Sequence, residues 1–119
     1  MQFTLLIYQT AEDLADRSHP ERARAYWSAW PDYVGALKEA GVFRGGAGLD
    51  LPAKAASIKL DKKPTGVQDG PFADTKEYLG GYFLIEVPGM DAALAWAARM
   101  PEGPGRIVEV RPNLVLDNS

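Results

Sequence analysis

The chain has 119 residues, 46 % of them hydrophobic, and a net charge of −3. This length fits one domain, residues 1–119, with a real hydrophobic core, and the lack of cysteine excludes disulfides, thiol catalysis and iron–sulfur clusters. With one histidine and no cysteine, we expect no bound metal, and we expect no cofactor. The negative net charge disfavours a nucleic-acid partner, although Lys59, Lys62 and Lys63 form one small basic group.

Residues 2–9 form the first predicted strand. Phe3, Leu5 and Ile7 lie on one face, and the other face also carries apolar groups, Leu6 and Tyr8, so we expect a central strand. The run is short and lacks a cationic start, which disfavours a signal peptide. No apolar run approaches the ~20 residues of a membrane span. We therefore expect a cytoplasmic protein without membrane association.

A helix is predicted from the capping signal at Ser18, where Glu21 completes a capping box, to the C-terminal glycine Gly41. Pro31 lies in its middle and predicts a kink or local break near Trp30. A stripe of large side chains recurs at helical spacing and is interpreted as core rather than as a cofactor site: Tyr26, Trp30, Tyr33 or Val34, and Leu37.

The second half of the chain is strand-rich. Strands are predicted over residues 42–49, 55–60, 79–87 and 106–111, with a short returning strand at 65–68 and a helix at 92–100. The resulting order βαββ(β)βαβ predicts an α+β, ferredoxin-like antiparallel sheet with both helices on one face. The other face would be apolar and bare, so we expect a homodimer formed through the sheets.

The loop that follows the short returning strand carries the densest side-chain chemistry. Asp69-Gly70-Pro71 is a turn signal, and the polar residues after it precede the glycines Gly80 and Gly81 of the longest strand. Asp69 is either a base or ligand anchor at a cleft or a carboxylate that holds its own turn. The two glycines favour close backbone packing over phosphate binding, because no glycine-rich loop enters a helix.

Asp69-Gly70-Pro71-Phe72 and the later Leu79–Ile85 segment resemble the signature of YCII-related proteins of the DGPF type. The resemblance extends to the first strand, to Ala40-Gly41-Val42, to residues 92–99 and to residues 108–112. It implies a small bacterial dimeric α+β barrel, a His–Asp pair in a cleft, and association with an extracytoplasmic-function sigma factor. Here His19 is the one histidine that can pair with Asp69.

Two functions stay open: a small-molecule binder with a cleft near the Asp69 loop and possible acid–base catalysis, or a non-catalytic accessory protein linked to a sigma factor. The candidate catalytic residues are Asp69 and His19. The candidate ligand-binding residues come from the loop and the flanking strands: Tyr8, Arg44, Phe72, Asp74, Thr75, Lys76, Glu77, Tyr82 and Glu86. Lys76 would anchor an anion, although we favour the alternative interpretation of residues 74–77 as a solvated loop with weak ion pairs or a cap at Asp74 or Thr75.

Overall fold

The computed structural model of the chain describes residues 1–61, 65–71 and 76–116. In these ranges the structure has six strands and three α-helices, in the predicted order except that a short helix, Ala11–Ala15, lies in the segment predicted as a polar connection. Their bounds are β1 Gln2–Thr10, α1 Ala11–Ala15, α2 Ala23–Glu39, β2 Phe43–Gly48, β3 Ala56–Lys59, β4 Thr65–Asp69, β5 Glu77–Glu86, α3 Met90–Ala98 and β6 Ile107–Pro112. Two 3₁₀ turns, Asp16–Ser18 and Pro52–Lys54, precede α2 and β3. In the described ranges, no helix is long and apolar enough to cross a membrane.

The main sheet has the strand order β2-β5-β1-β6, and every neighbouring pair is antiparallel. The first strand is therefore central, as predicted. Helix α2 lies on the connection from β1 to β2, which are on the two sides of β5, and α3 lies on the connection from β5 to β6, which are on the two sides of β1. Each connection crosses over one strand, which gives the two interleaved halves of a ferredoxin-like α+β fold. This confirms the fold class predicted from the sequence.

One face of the sheet carries the core. Phe3, Leu5 and Ile7 of β1 are buried on it, and they join Tyr33 and Leu37 of α2 in a single cluster. The cluster also takes in residues from β5, α3 and their flanks: Phe83, Ile85, Val87, Ala93 and Met100. Because side chains alternate along a strand, burial of one face fixes the register of the whole sheet.

The opposite face is open. Leu6 and Tyr8 of β1 and Tyr82, Leu84 and Glu86 of β5 lie on it, each half-buried in the single chain. Leu6 pairs with Tyr82 across the strands, so their side chains are neighbours on this face. An apolar sheet face without a helix over it is the feature from which the sequence predicts a dimer.

The strands β3 and β4 form a separate two-stranded sheet. Ala56 pairs with Asp69, so the hairpin ends at the start of the Asp69 loop. The short returning strand and the hairpin that delivers Asp69 are thus confirmed.

The predicted helix start at Ser18 is wrong. Ser18 belongs to a 3₁₀ turn, and α2 begins at Ala23 with no side-chain cap. Instead, the carbonyl of His19 accepts hydrogen bonds from the backbone N–H groups of Arg22 and Ala23. The side-chain cap is found earlier, where the Thr10 hydroxyl accepts from the backbone of Asp13 and starts α1. From Ala23, α2 continues unbroken through Pro31.

Candidate functional site

A cavity of about 320 Å³ lies between the first half of α2 and the sheet. Its volume is at the lower end of the range found for small-molecule sites. Three secondary-structure groups build it: the end of β1 with the following turn, the aromatic face of α2, and the glycine-rich edge of β2 and β5. The lining residues are Ile7, Gln9, Arg17, Tyr26, Trp27, Trp30, Val34, Phe43, Gly46, Ala47, Gly48, Gly80, Gly81 and Phe83.

The glycines of the cavity floor serve two purposes. A Cβ at Gly80 would overlap the side-chain amide of Gln9, and a Cβ at Gly46 would lie 2.7 Å from the Phe83 ring. These two glycines therefore permit close packing, as the sequence predicts for Gly80. A Cβ at Gly48 would meet no atom within 4 Å, so the cavity is open above this residue.

Arg17 forms the polar end of the cavity. Its Nη1 donates to the Leu49 carbonyl at 2.6 Å, and its Nη2 donates to the Gly80 carbonyl at 3.1 Å and to Oε1 of Gln9 at 2.9 Å. Its Nε donates to the Tyr26 hydroxyl at 2.9 Å. All four acceptors are neutral. The guanidinium also lies 5.7 Å from the ring centroids of Tyr26 and Trp27, within cation–π distance.

Gln9 connects Arg17 to a buried ion pair. Its amide nitrogen donates to Asp13 at 3.1 Å and to the Tyr26 hydroxyl at 2.7 Å. Arg106 donates to both carboxylate oxygens of Asp13 at 2.7 Å, and both side chains are almost fully buried. The Arg106 charge is thus matched within the protein by a bidentate partner.

The aromatic wall determines how the cavity meets solvent. Trp30 stacks on Phe83 with a centroid distance of 6.2 Å and is half-buried. Trp27 is 50 % exposed and stands at the mouth, where its indole N–H donates to the backbone carbonyl of Arg17 at 3.0 Å. The predicted core stripe is therefore divided: Tyr33 and Leu37 are core, whereas Tyr26 and Trp30 line the cavity.

The structure places Asp69 elsewhere. Asp69 is exposed at the end of β4, and within the described ranges its side chain makes no hydrogen bond. The turn after it is held by other groups: the backbone N–H of Gly70 donates to the Ala55 carbonyl, and the Ser57 hydroxyl donates to the Gly70 carbonyl at 2.9 Å. A second, more open cavity of about 340 Å³ lies beside this loop and is lined in part by Ala55 and Pro71.

His19, Lys76 and Glu77 do not line either of these cavities. His19 is half-buried before α2, and its Nδ1 accepts a hydrogen bond from the backbone of Glu21 at 3.0 Å. Lys76 and Glu77 are exposed at the start of β5. Phe72, Asp74 and Thr75 lie outside the described residues.

Four predicted ligand-binding residues lie on strands away from the aromatic cavity. Tyr8, Tyr82 and Glu86 share the open sheet face, and the Tyr8 hydroxyl lies 3.4 Å from a Glu109 carboxylate oxygen. Glu86 is paired at 2.6 Å with the N-terminal ammonium, whose hydrogen bond lowers the pKa of Glu86. Arg44 is exposed on β2 and donates to two backbone carbonyls.

The sequence reasoning missed Arg17 and Gln9 and assigned Tyr26 and Trp30 to the core. Arg17 follows a polar segment without periodicity, so nothing local marks it. For the aromatic residues, the sequence did contain a signal. Tyr26 and Trp27 are adjacent, so they cannot both point into one core stripe. The sequence indicated that another group packs closely against Gly80, but it did not indicate that this group is the side chain of Gln9.

The comparisons with known proteins agree with the fold. The family model described as YCII-related domain matches residues 1–114. The chain therefore belongs to the YCII-related family, as the sequence resemblance indicated. An uncharacterised protein of Rhizobium meliloti is 42 % identical over 59 residues, which cover 50 % of this chain and 48 % of that relative. The matched segment thus spans about half the length of the relative.

Proposed function

We propose that this protein binds a small molecule in the cavity between α2 and the sheet. The observation that carries the proposal is the composition of the cavity: aromatic rings on one side, an open glycine floor on the other, and one arginine at the end. Ligand sites are commonly apolar pockets with a few polar groups that fix orientation. A mere packing defect would not be expected to hold a charged side chain with four hydrogen bonds.

Binding, rather than catalysis, is the function that the geometry supports. Among the described lining residues, the ionisable side chains are Arg17 and Tyr26. Acid–base catalysis by Asp69 and His19 stays a prediction, since neither residue lines this cavity. The cleft beside the Asp69 loop is the second candidate position for the same function, because Pro71 of the DGPF motif forms part of its wall.

The test is a cavity-filling substitution. Gly48→Val places a side chain in the cavity at a position where a Cβ meets no atom within 4 Å, so the fold is expected to persist while ligand binding is lost. Gly66→Val is the matched control, because a Cβ at Gly66 of β4 also meets no atom within 4 Å and lies outside the cavity. A metabolite library is screened by thermal shift on both variants and on the unmodified protein.

A ligand at ten times its dissociation constant stabilises the folded state by about 1.4 kcal/mol, which moves the melting temperature by several degrees. Hits that Gly66→Val retains and Gly48→Val loses support the proposal. Ligands that still bind to Gly48→Val would indicate that the site is at the second cleft or on another surface. Trp27 and Trp30 line the cavity, so their fluorescence provides an independent signal of occupancy.

We further propose that two chains associate through the open sheet face that carries Leu6, Tyr82 and Leu84. An apolar face of this kind is commonly covered by a partner. The alternative function, an accessory protein that associates with a sigma factor, rests on the sequence resemblance alone. A broad screen without a hit would favour it, and co-purification with a sigma factor is the direct measurement.

A further inference from the structure

The charge of Arg17 is not matched by a carboxylate in the described part of the chain. The acidic side chains within four residues of it in sequence are Asp13, Asp16 and the exposed Glu21, and Glu21 forms no ion pair with Arg17. Asp13 is bound by Arg106 through two 2.7 Å contacts, and Asp16 is bound by Arg22 at 2.7 Å. The half-buried guanidinium of Arg17 therefore brings one positive charge to an apolar cavity and is solvated there by neutral oxygens.

Two hydrogen-bond donors beside the cavity are left without an acceptor among the described residues: one N–H group of Arg17 and the hydroxyl of Tyr26. A guanidinium has five N–H groups, and Arg17 uses one at Nε, one at Nη1 and two at Nη2, so one Nη1–H remains. The Tyr26 oxygen accepts from Arg17 and from the Gln9 amide. Since both of those partners can only donate, the Tyr26 proton is left for a third group, and no described residue accepts it.

The orientation of the Gln9 amide, on which this assignment depends, is fixed by its neighbours. Its oxygen faces the Arg17 guanidinium, which cannot accept, and its nitrogen faces the Asp13 carboxylate, which has no proton to give when ionised. In a flipped amide, the nitrogen would face the Arg17 guanidinium, so that two donors met, and the oxygen would face the Asp13 carboxylate, so that two acceptors met. The Tyr26 hydroxyl is therefore a donor at the polar end of the cavity.

We propose that the ligand of this cavity is a small monocarboxylate with an apolar, preferably aromatic, body. Its carboxylate would accept from Arg17 and Tyr26, and its body would lie among Trp27, Trp30 and Phe83. One negative charge matches the positive charge of Arg17, the one cationic side chain among the described lining residues. A phosphate monoester carries a larger charge than one arginine balances. This inference rests on the proposed function and adds the chemical class of the ligand.

The test compares two probes of the same shape, phenylacetate and phenylacetamide, by isothermal titration calorimetry with the full chain. The carboxylate is expected to bind at least tenfold more tightly than the neutral amide, because charge-assisted hydrogen bonds are roughly twice as strong as neutral ones. Gly48→Val is expected to abolish binding of both probes, and Gly66→Val neither.

Arg17→Met keeps the unbranched part of the side chain and removes the charged guanidinium group, and it is expected to reduce the preference for the carboxylate to less than twofold. Because Arg17 also ties Leu49 and Gly80 to the turn, Tyr26→Phe is the second variant, in which carboxylate affinity falls several-fold and phenylacetamide affinity changes less.

The outcomes separate the two proposals. Equal affinity for the two probes, with loss in Gly48→Val, overturns the carboxylate class and retains the cavity as a ligand site. A carboxylate preference that persists in Arg17→Met also overturns it. If neither probe binds saturably, the monocarboxylate proposal fails for this shape class, and library hits sensitive to Gly48→Val then decide the proposed function alone.

Discussion

The side-chain amide of Gln9 lies in the space that a Cβ at Gly80 would need. Gln9 is 1 % exposed and hydrogen-bonds to Arg17, Tyr26 and Asp13 from this position. The absence of a side chain on β5 thus makes room for the polar network that positions Arg17 in the cavity.

We expect Gly80→Ala to lower the free energy of unfolding by about 1–3 kcal/mol, the range for overpacking of a filled interior. Gly66→Ala, at an open position of β4, is the control and is expected to be neutral or slightly stabilising. Urea denaturation measures both. Because the loss comes from overlap with the Gln9 side chain, Gly80→Ala should lower the free energy of unfolding clearly less in a Gln9→Ala background. Additive effects would contradict it.

Asp13→Asn tests the buried ion pair. The substitution keeps the shape of the side chain but leaves the buried Arg106 charge without its carboxylate, for which we expect a loss of about 3–5 kcal/mol. Asp16→Asn removes the corresponding pair with Arg22, which is 56 % exposed, and should cost less than about 1 kcal/mol. Similar losses in the two variants, measured by chemical denaturation, would show that burial is not the deciding factor.

The raised pKa of Tyr33 predicts that the protein loses stability at alkaline pH. Burial raises its pKa to about 12, against a smaller opposing effect of Arg99, and its hydroxyl donates to the Trp96 carbonyl at 2.8 Å. The unfolded chain, with a pKa near 10, releases this proton first, so the stabilisation is complete below pH 10 and is lost as the pH rises toward 12.

Phenolate absorbance should show a late titration step near pH 12, and Tyr33→Phe should lack that step. The slope of unfolding free energy against pH should reach roughly 1.4 kcal/mol per pH unit from this group. A variant with an unchanged late step would assign it to another tyrosine.

Leu84→Glu tests association through the open sheet face. Leu84 is half-buried on this face, and a carboxylate there would oppose its own copy or an apolar partner surface. We expect a dimer for the unmodified protein and a monomer for the variant in sedimentation velocity at micromolar concentration. Leu94→Glu, on the exposed side of α3, is the matched control. A monodisperse monomer of the unmodified protein would refute the dimer.

Asp69→Asn distinguishes the two roles considered for this carboxylate. Because Ser57 and Ala55 hold the Gly70 turn, we expect a change in unfolding free energy within about 0.5 kcal/mol, as for other exposed positions. Ser57→Ala, which removes the hydroxyl bound to the Gly70 carbonyl, should cost about 1 kcal/mol. A loss of several kcal/mol in Asp69→Asn would instead show that this side chain holds the turn.

The sequence by itself determined the fold class. Alternation of Phe3, Leu5 and Ile7, helical spacing of Tyr33 and Leu37, and the order of strands and helices restrict the chain to a ferredoxin-like sheet. The reason is physical: side-chain periodicity and burial of one face are local properties that survive in the one-dimensional pattern. The family followed from the same source, through the DGPF motif.

Only the tertiary structure decided which side chains meet. Gly80 lies 63 residues from Arg17, which itself lies 8 residues from Gln9. The three become neighbours because β1 pairs with β5 and the turn after α1 folds over the end of these strands. The capping signal at Ser18 was overridden in the same way, since Ser18 is the last residue of the 3₁₀ turn that places Arg17, and α2 begins only at Ala23. The sequence predicted a site at the loop after Asp69 because polar side chains are dense there. The residues that line the aromatic cavity are not marked by any such local pattern.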